Sequence, residues 1–248
     1  MSARQLLLLS AGTIFGSEFL QYAADDIKSF LTRNNVCRIL FIPYALHDHD
    51  AYEDKARKAF GKMGFEVESI HRSRDPPRSV ASAQAIFVGG GNTFRLLKAL
   101  HDNKLVLPIR EKVLQEGTPY IGASAGTNVA TVNICTTNDM PIVYPPTFAA
   151  LNLVPFNINP HYIEPDPGSQ HMGETREQRI QQYFECEEWY PVLGLREGSM
   201  LLILGEKATL KGLSQVAKLF TKDEKSKEFP VGSDLSFLLK NGKKTAEC

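Results

Sequence analysis

The chain opens on a short apolar run, residues 6–10, and then changes period. Phe19, Leu20, Ala23, Ala24, Ile27, Phe30 and Leu31 recur at the spacing that puts them on one face of a helix. A second apolar run, 38–43, leads into residues 51–63, which read as a second helix. Residues 65–70 form a third strand, and 85–88 a fourth that ends in Gly89-Gly90-Gly91. Residues 93–100 read as helix, and 120–122 as a short fifth strand. Continuous apolar strands alternating with helices predict a mainly parallel sheet flanked by helices, an α/β fold.

The pattern changes after about residue 131. Pro and Asn become dense over 138–167, which reads as long ordered loop, before helical spacing returns at 174–184. Apolar runs without helices then follow at 200–204, 216–220 and 237–239, and these read as antiparallel strands at the C-terminal edge of the sheet. The charged stretch 221–228 between two of them reads as a solvated hairpin tip. With no internal repeat and no low-complexity linker, residues 1–248 are expected to form one domain.

Charge narrows the functional classes. Lys plus Arg and Asp plus Glu are 28 each, so the formal net charge is zero. A protein living on phosphate contacts is normally basic, so no nucleic-acid partner is expected. No run approaches the roughly 18 apolar residues that span a bilayer, and the four leucines near the start are too few for an export signal. No membrane association is expected. Cys37, Cys135, Cys186 and Cys248 are widely scattered, which argues against a zinc knot and fits a reducing, cytoplasmic setting.

Gly122-Ala123-Ser124-Ala125-Gly126 has the form G-x-S-x-G, after a strand and before a helix, which is the setting a nucleophile elbow requires. Small neighbours let the chain turn sharply so that Ser124 stands clear of it. The Ala125 amide can then donate to an oxyanion, with the helix N-terminus favouring negative charge. Gly89-Gly90-Gly91 also ends a strand, and Gly90 and Gly91 are candidates for a second donor. It lacks the G-x-G-x-x-G spacing and a Walker lysine, so no nucleotide site is expected. His161, in Asn159-Pro160-His161-Tyr162, is a candidate base. His47 and His49 flank Asp48 in a manner that could suggest metal binding, but no HExxH or remote ligand set supports it. Asp139 and Glu197 are both candidate carboxylates to orient the base, and spacing does not choose between them.

Together these segments resemble peptidase E, the α-aspartyl dipeptidase family of serine peptidases. The matching stretches are FVGGGNTF (87–94), IGASAG (121–126), TTNDMPIV (136–143), NPHY (159–162), GETREQRI (173–180) and GLREGS (194–199). They run collinearly across most of the chain, and residues after about 221 match nothing. The resemblance implies a class I glutamine-amidotransferase-like, flavodoxin-like core and hydrolysis of Asp-X dipeptides without metal or other cofactor. It implies Ser124 as nucleophile, His161 as base and Glu197 as the third triad member. Asp139 matches an aspartate also proposed for that third role, and Arg176 a residue expected to bind the substrate's aspartyl side chain. Ala123 departs from relatives that carry a large aromatic there. The expected partner is a small peptide, and the oligomeric state is open, a homodimer included. The rival readings are a relative acting on aspartyl-arginine substrates, a silent binding protein on this scaffold, and a metallohydrolase using His47 and His49.

Overall fold

Five parallel strands carry the molecule, and their sequences explain why. In β1 (Gln5–Leu9), Leu6 and Leu8 pack into one hydrophobic layer while Leu7 and Leu9 pack into the other. Side chains alternate along a strand, so a strand covered on both faces must be apolar at every position. The computed structural model describes residues 4–240 apart from 167, 169, 171, 214 and 215, together with the backbone of 244–245. His171 and Cys248 lie outside the described residues.

From β1 the chain passes through a short 3₁₀ turn, Gln21–Ala23, into α1 (Ala24–Arg33) and then β2 (Arg38–Ile42). Next come α2 (His49–Met63), β3 (Glu66–Ser69) and α3 (Pro76–Ala81). β4 (Ile86–Val88), α4 (Thr93–Asp102), α5 (Val106–Leu114) and β5 (Tyr120–Ala123) complete the parallel core. α2 starts where Asp48 accepts the Ala51 N–H and stops at Gly64, which has φ 93°. After β5 come the short α6 (Ala125–Asn128), β6 (Asn157–Pro160) and α7 (Arg176–Tyr183). α7 is fixed at its start by a capping box between Thr175 and Gln178. The chain ends through β7 (Glu188–Trp189), β8 (Val192–Leu195), β9 (Ser199–Leu204), β10 (Lys207–Gly212), β11 (Ala217–Phe220), β12 (Lys227–Phe229) and β13 (Lys244–Thr245).

The main sheet has the order β10-β9-β1-β5-β4-β2-β3. The strands from β1 to β3 in that order are parallel, while β9 and β10 run antiparallel at the other edge. A second sheet, β12-β11-β8-β6, lies beside it, and β6 and β8 are parallel with Pro160 opposite Leu195. Among the described residues no helix is long and apolar enough to cross a membrane.

Three expectations need correction. Residues 217–220 are not at the edge of the main sheet but pair with β8 in the second one. Residues 237–239 belong to a 3₁₀ turn, Ser236–Leu239, led in by Asp234 Oδ1 accepting the Ser236 N–H. The stretch read as loop contains β6. Its Asn157 and Asn159 are buried with their amide nitrogens partnered: Asn157 Nδ2 donates to Asn133 Oδ1, and Asn159 Nδ2 donates to the Thr136 carbonyl and to Asn138 Oδ1, while Asn159 Oδ1 has no partner among the described residues.

Candidate active site

β1 and β5 lie side by side with Leu9 opposite Ala123, so the next residues, Ser10 and Ser124, emerge together at the carboxyl end of the sheet. Ser124 adopts φ 53° and ψ −109°, a conformation L-residues rarely take and one worth roughly 1–3 kcal/mol of strain. Its glycine neighbours are there for closeness. A Cβ on Gly122 would lie 2.6 Å from the Gly126 carbonyl oxygen, and one on Gly126 would lie 2.0 Å from that of Val88. The helix behind the serine is a single turn, so its dipole is small. What it offers is the Ala125 N–H, an amide with no partner inside the helix.

The glycine loop after β4 closes over the same serine. A Cβ on Gly90 would lie 2.9 Å from Ser124 Cβ. Gly91 has φ 139° and passes so close to Ala45 that a Cβ would meet the carbonyl oxygen at 2.5 Å. The buried Tyr52 packs under the start of this loop, where a Cβ on Gly89 would lie 2.4 Å from its hydroxyl. The Gly91 and Ala125 amides have no acceptor among the described residues.

The second sheet supplies the other two groups. Pro160 and Leu195 are in register on parallel strands, so His161 and the turn bearing Glu197 leave at the same end. His161 has φ 53° and its amide donates to Ser10 Oγ at 2.9 Å. Ser10 Oγ in turn donates to the Leu195 carbonyl at 2.8 Å. This three-way junction ties His161 to the end of β1. His161 Nε2 lies 2.9 Å from Ser124 Oγ, and Nδ1 lies 2.7 Å from Glu197 Oε1. Glu197 is half exposed, with 54% of its side chain accessible.

Asp139 lies elsewhere in the cleft. Its Oδ2 accepts the Thr93 N–H at 2.7 Å, at the start of α4, and it makes no hydrogen bond with His161. The loop beyond it is held by Asn92 Nδ2, which donates to the Met140 carbonyl. Arg176, the first residue of α7, reaches the same cleft. Burial lowers the pKa of its guanidinium, nearby Arg179 adds to that, and Asp139 partly opposes it. Arg176 forms no ion pair within 4.0 Å among the described residues. The cleft is about 240 Å³ and is walled by Ser124, Ala125, Asn128, Asp139, His161 and Arg176, among others. On the far side of His161 a second cleft, about 550 Å³, is lined by Tyr162, Ile163, Glu164, Arg176, Arg196 and Glu197. A cleft of about 500 Å³ between Phe19 and the lysines of α2 contains none of these groups.

His49 opens α2 with its ring against Tyr44 and His71. Neither His47 nor His49 joins the one group of gathered ligand atoms among the described residues, Asp50, Glu53 and His71. There Arg57 and Arg72 already hold the buried Glu53 carboxylate, and Arg72 also holds Asp50. Two residues of the site were not singled out from sequence, Ser10 and Asn128. Asn128 carried a signal all the same. It lies four residues after Ser124, and its N–H donates to the Ser124 carbonyl, so the two share a helix face.

Residues 6–211 match the model of peptidase family S51. The chain is 52% identical over 238 residues to a Drosophila melanogaster protein named Probable alpha-aspartyl dipeptidase, covering 96% of this chain and 98% of that one. It is 50% identical to a Peptidase E of Streptomyces coelicolor, covering 94% of each. Its fold is similar to the crystal structure of a peptidase from an acI-B1 Actinobacterium, with TM-score 0.73 at 16% identity, covering 95% of this chain and 98% of the other. On the extent of these matches, the chain belongs to peptidase family S51.

Proposed function

We propose that this chain is a serine exopeptidase that releases N-terminal aspartate from Asp-X dipeptides. The observation that carries the reading is the unbroken line of hydrogen bonds from Ser124 through His161 to Glu197, with Arg176 in the same small cleft. The names borne by the relatives from Drosophila and Streptomyces support it.

His161 Nε2 takes the Ser124 proton as Oγ attacks the carbonyl carbon of the aspartyl residue. The carbonyl oxygen becomes an oxyanion that the free amides of Gly91 and Ala125 stabilise. As the C–N bond breaks, His161 returns the proton to the leaving amine. Water then attacks the acyl-enzyme, with His161 again the base, and Ser124 recovers its proton as aspartate leaves. Glu197 accepts the Nδ1–H throughout, which fixes the tautomer and balances the transient imidazolium. Arg176 meets the β-carboxylate of the substrate, since a carboxylate that leaves water needs a cation and the planar fork suits both oxygens. The exposed free thiols Cys37, Cys135 and Cys186 support a reducing compartment, the cytoplasm.

The test is a panel of dipeptides with Asp, Glu, Asn and Ala in first position, run on the wild-type chain and on Ser124→Ala. Asp-X alone should turn over at a substantial rate, and Ser124→Ala should reduce it to near background while circular dichroism stays native. Equal rates across the panel, or wild-type rates in the folded variant, would refute the reading.

A further inference from the structure

An N-terminal aspartyl residue carries two opposite charges on one Cα, the β-carboxylate and the α-ammonium. Arg176 accounts for the first. The cleft also holds a negative charge that the mechanism above does not use, the carboxylate of Asp139. Asp139 makes no hydrogen bond with His161, so it does not orient the base. Nor is it spent on Arg176. The two charges feel each other, yet they do not form an ion pair within 4.0 Å. Two opposite charges held apart in one cleft are complementary to a zwitterion whose own charges are separated.

Asp139 is also preorganised for such a role. Oδ2 is held by the Thr93 N–H, and its own amide donates to Thr137 Oγ1 at 3.3 Å. The other oxygen makes no hydrogen bond among the described residues. A second acceptor lies in the same wall. Asn128 is 1% exposed, and its Nδ2 donates to the Ile158 carbonyl at 3.1 Å. Because that partner is an acceptor, the amide group must face it with nitrogen, which leaves Oδ1 as the buried oxygen without a donor. An ammonium brings three N–H donors, one of which the free oxygen of Asp139 can accept.

We infer that Asp139 is a specificity-determining residue that reads the free α-ammonium of the substrate. This inference rests on the dipeptidase reading and deepens it. It accounts for removal of a terminal residue: an internal aspartate, acylated on its nitrogen, brings no charge to Asp139 and leaves that carboxylate to be desolvated unpaired.

The probes are aspartyl p-nitroanilide and succinyl p-nitroanilide, which differ only in the ammonium group. The wild-type chain should prefer the aspartyl compound by about 30-fold or more in kcat/KM, the loss expected when one partner of a shielded charge pair is removed. Asp139→Asn keeps an oxygen for the Thr93 N–H and the same shape, so it tests charge alone. The preference should shrink at least tenfold, mainly through KM of the aspartyl compound. A wild-type enzyme that treats the two anilides within threefold overturns the inference with no variant needed. So does an Asp139→Asn enzyme that keeps the wild-type preference, or that loses activity equally on both, as a merely structural role would produce. If the wild-type chain cleaves neither anilide and no Asp-X dipeptide, the dipeptidase reading itself has failed. If it cleaves Asp-X normally and the preference does not move, only the inference has.

Discussion

Replacing Arg176 with alanine should separate stability from activity. In the free protein Arg176 is half-buried and lacks an ion-pair partner among the described residues, and burial together with Arg179 disfavours its charge. A partly desolvated cation of this kind contributes little to folding. Arg176→Ala should therefore change stability by no more than about 1 kcal/mol, which for a chain this size is about 2–4 °C in Tm. Substrate binding is another matter. Removing one member of a buried charge pair costs roughly 2–5 kcal/mol, and partial exposure of this site favours the lower part, about 2–3.5 kcal/mol. At about 1.4 kcal/mol per decade that is roughly 30- to 300-fold in kcat/KM. The β-carboxylate is the same in ground and transition states, so the loss should fall mostly on KM. The assay is initial-rate kinetics on aspartyl and alanyl p-nitroanilides, paired with scanning calorimetry. An Arg176→Ala enzyme within threefold of wild type on the aspartyl compound would refute the reasoning. An equal loss on the alanyl compound would too, because then the arginine is holding the cleft together and not reading a carboxylate.

Two further outcomes follow from distances in the site. Glu197→Gln keeps an acceptor for the His161 Nδ1–H and removes a charge that is half in water; charges about 4 Å apart interact by about 1 kcal/mol in water and about 4 kcal/mol near a protein surface. The expected loss is near 2 kcal/mol, or about 30-fold in kcat, well short of the roughly 10⁴ seen for the buried aspartate of chymotrypsin-type enzymes, and an unchanged kcat would show that Glu197 is not coupled to the base. Gly126→Ala puts a methyl group 2.0 Å from the Val88 carbonyl oxygen, between two central strands that cannot separate, so Tm should fall by several degrees and turnover by more than the lost stability explains; native Tm and rate would show that the elbow has slack.

The sequence made the parallel half of the fold legible because there the hydrophobic pattern and the element coincide. Each of β1, β2, β4 and β5 is an apolar run bounded by turn residues. β6 was invisible for the opposite reason. Asn-Ile-Asn-Pro carries polar side chains into the interior, where their amide nitrogens donate to Asn133, the Thr136 carbonyl and Asn138, and no local pattern reports bonds made to distant residues. Residues 237–239 are apolar enough for a strand but follow Asp234, whose side chain caps a tight turn. In the site, the sharp turn at Ser124 was legible from its glycines. The distinction between Asp139 and Glu197 was not, since both sit in turns with similar composition. It depends on which turn the register of β6 and β8 delivers to the imidazole.

That register explains how three side chains from distant parts of the chain meet within hydrogen-bond range. The pairing of Leu9 with Ala123 sets Ser10 beside Ser124, and the pairing of Pro160 with Leu195 sets His161 beside the Glu197 turn. Neither pairing alone fixes one sheet against the other. Ser10 does so. Its hydroxyl donates to the last carbonyl of β8 and accepts the backbone N–H of His161, while its own amide donates to the Ser199 carbonyl at the start of β9. The turn carrying Glu197 is thus held at both ends by one buried residue at the tip of β1. The strained backbones at Ser124 and His161 lie on either side of this junction, each needing its surroundings to over-determine it. Glu197 meets His161 Nδ1 while half exposed because the backbone around it, and not its own packing, sets where its carboxylate points.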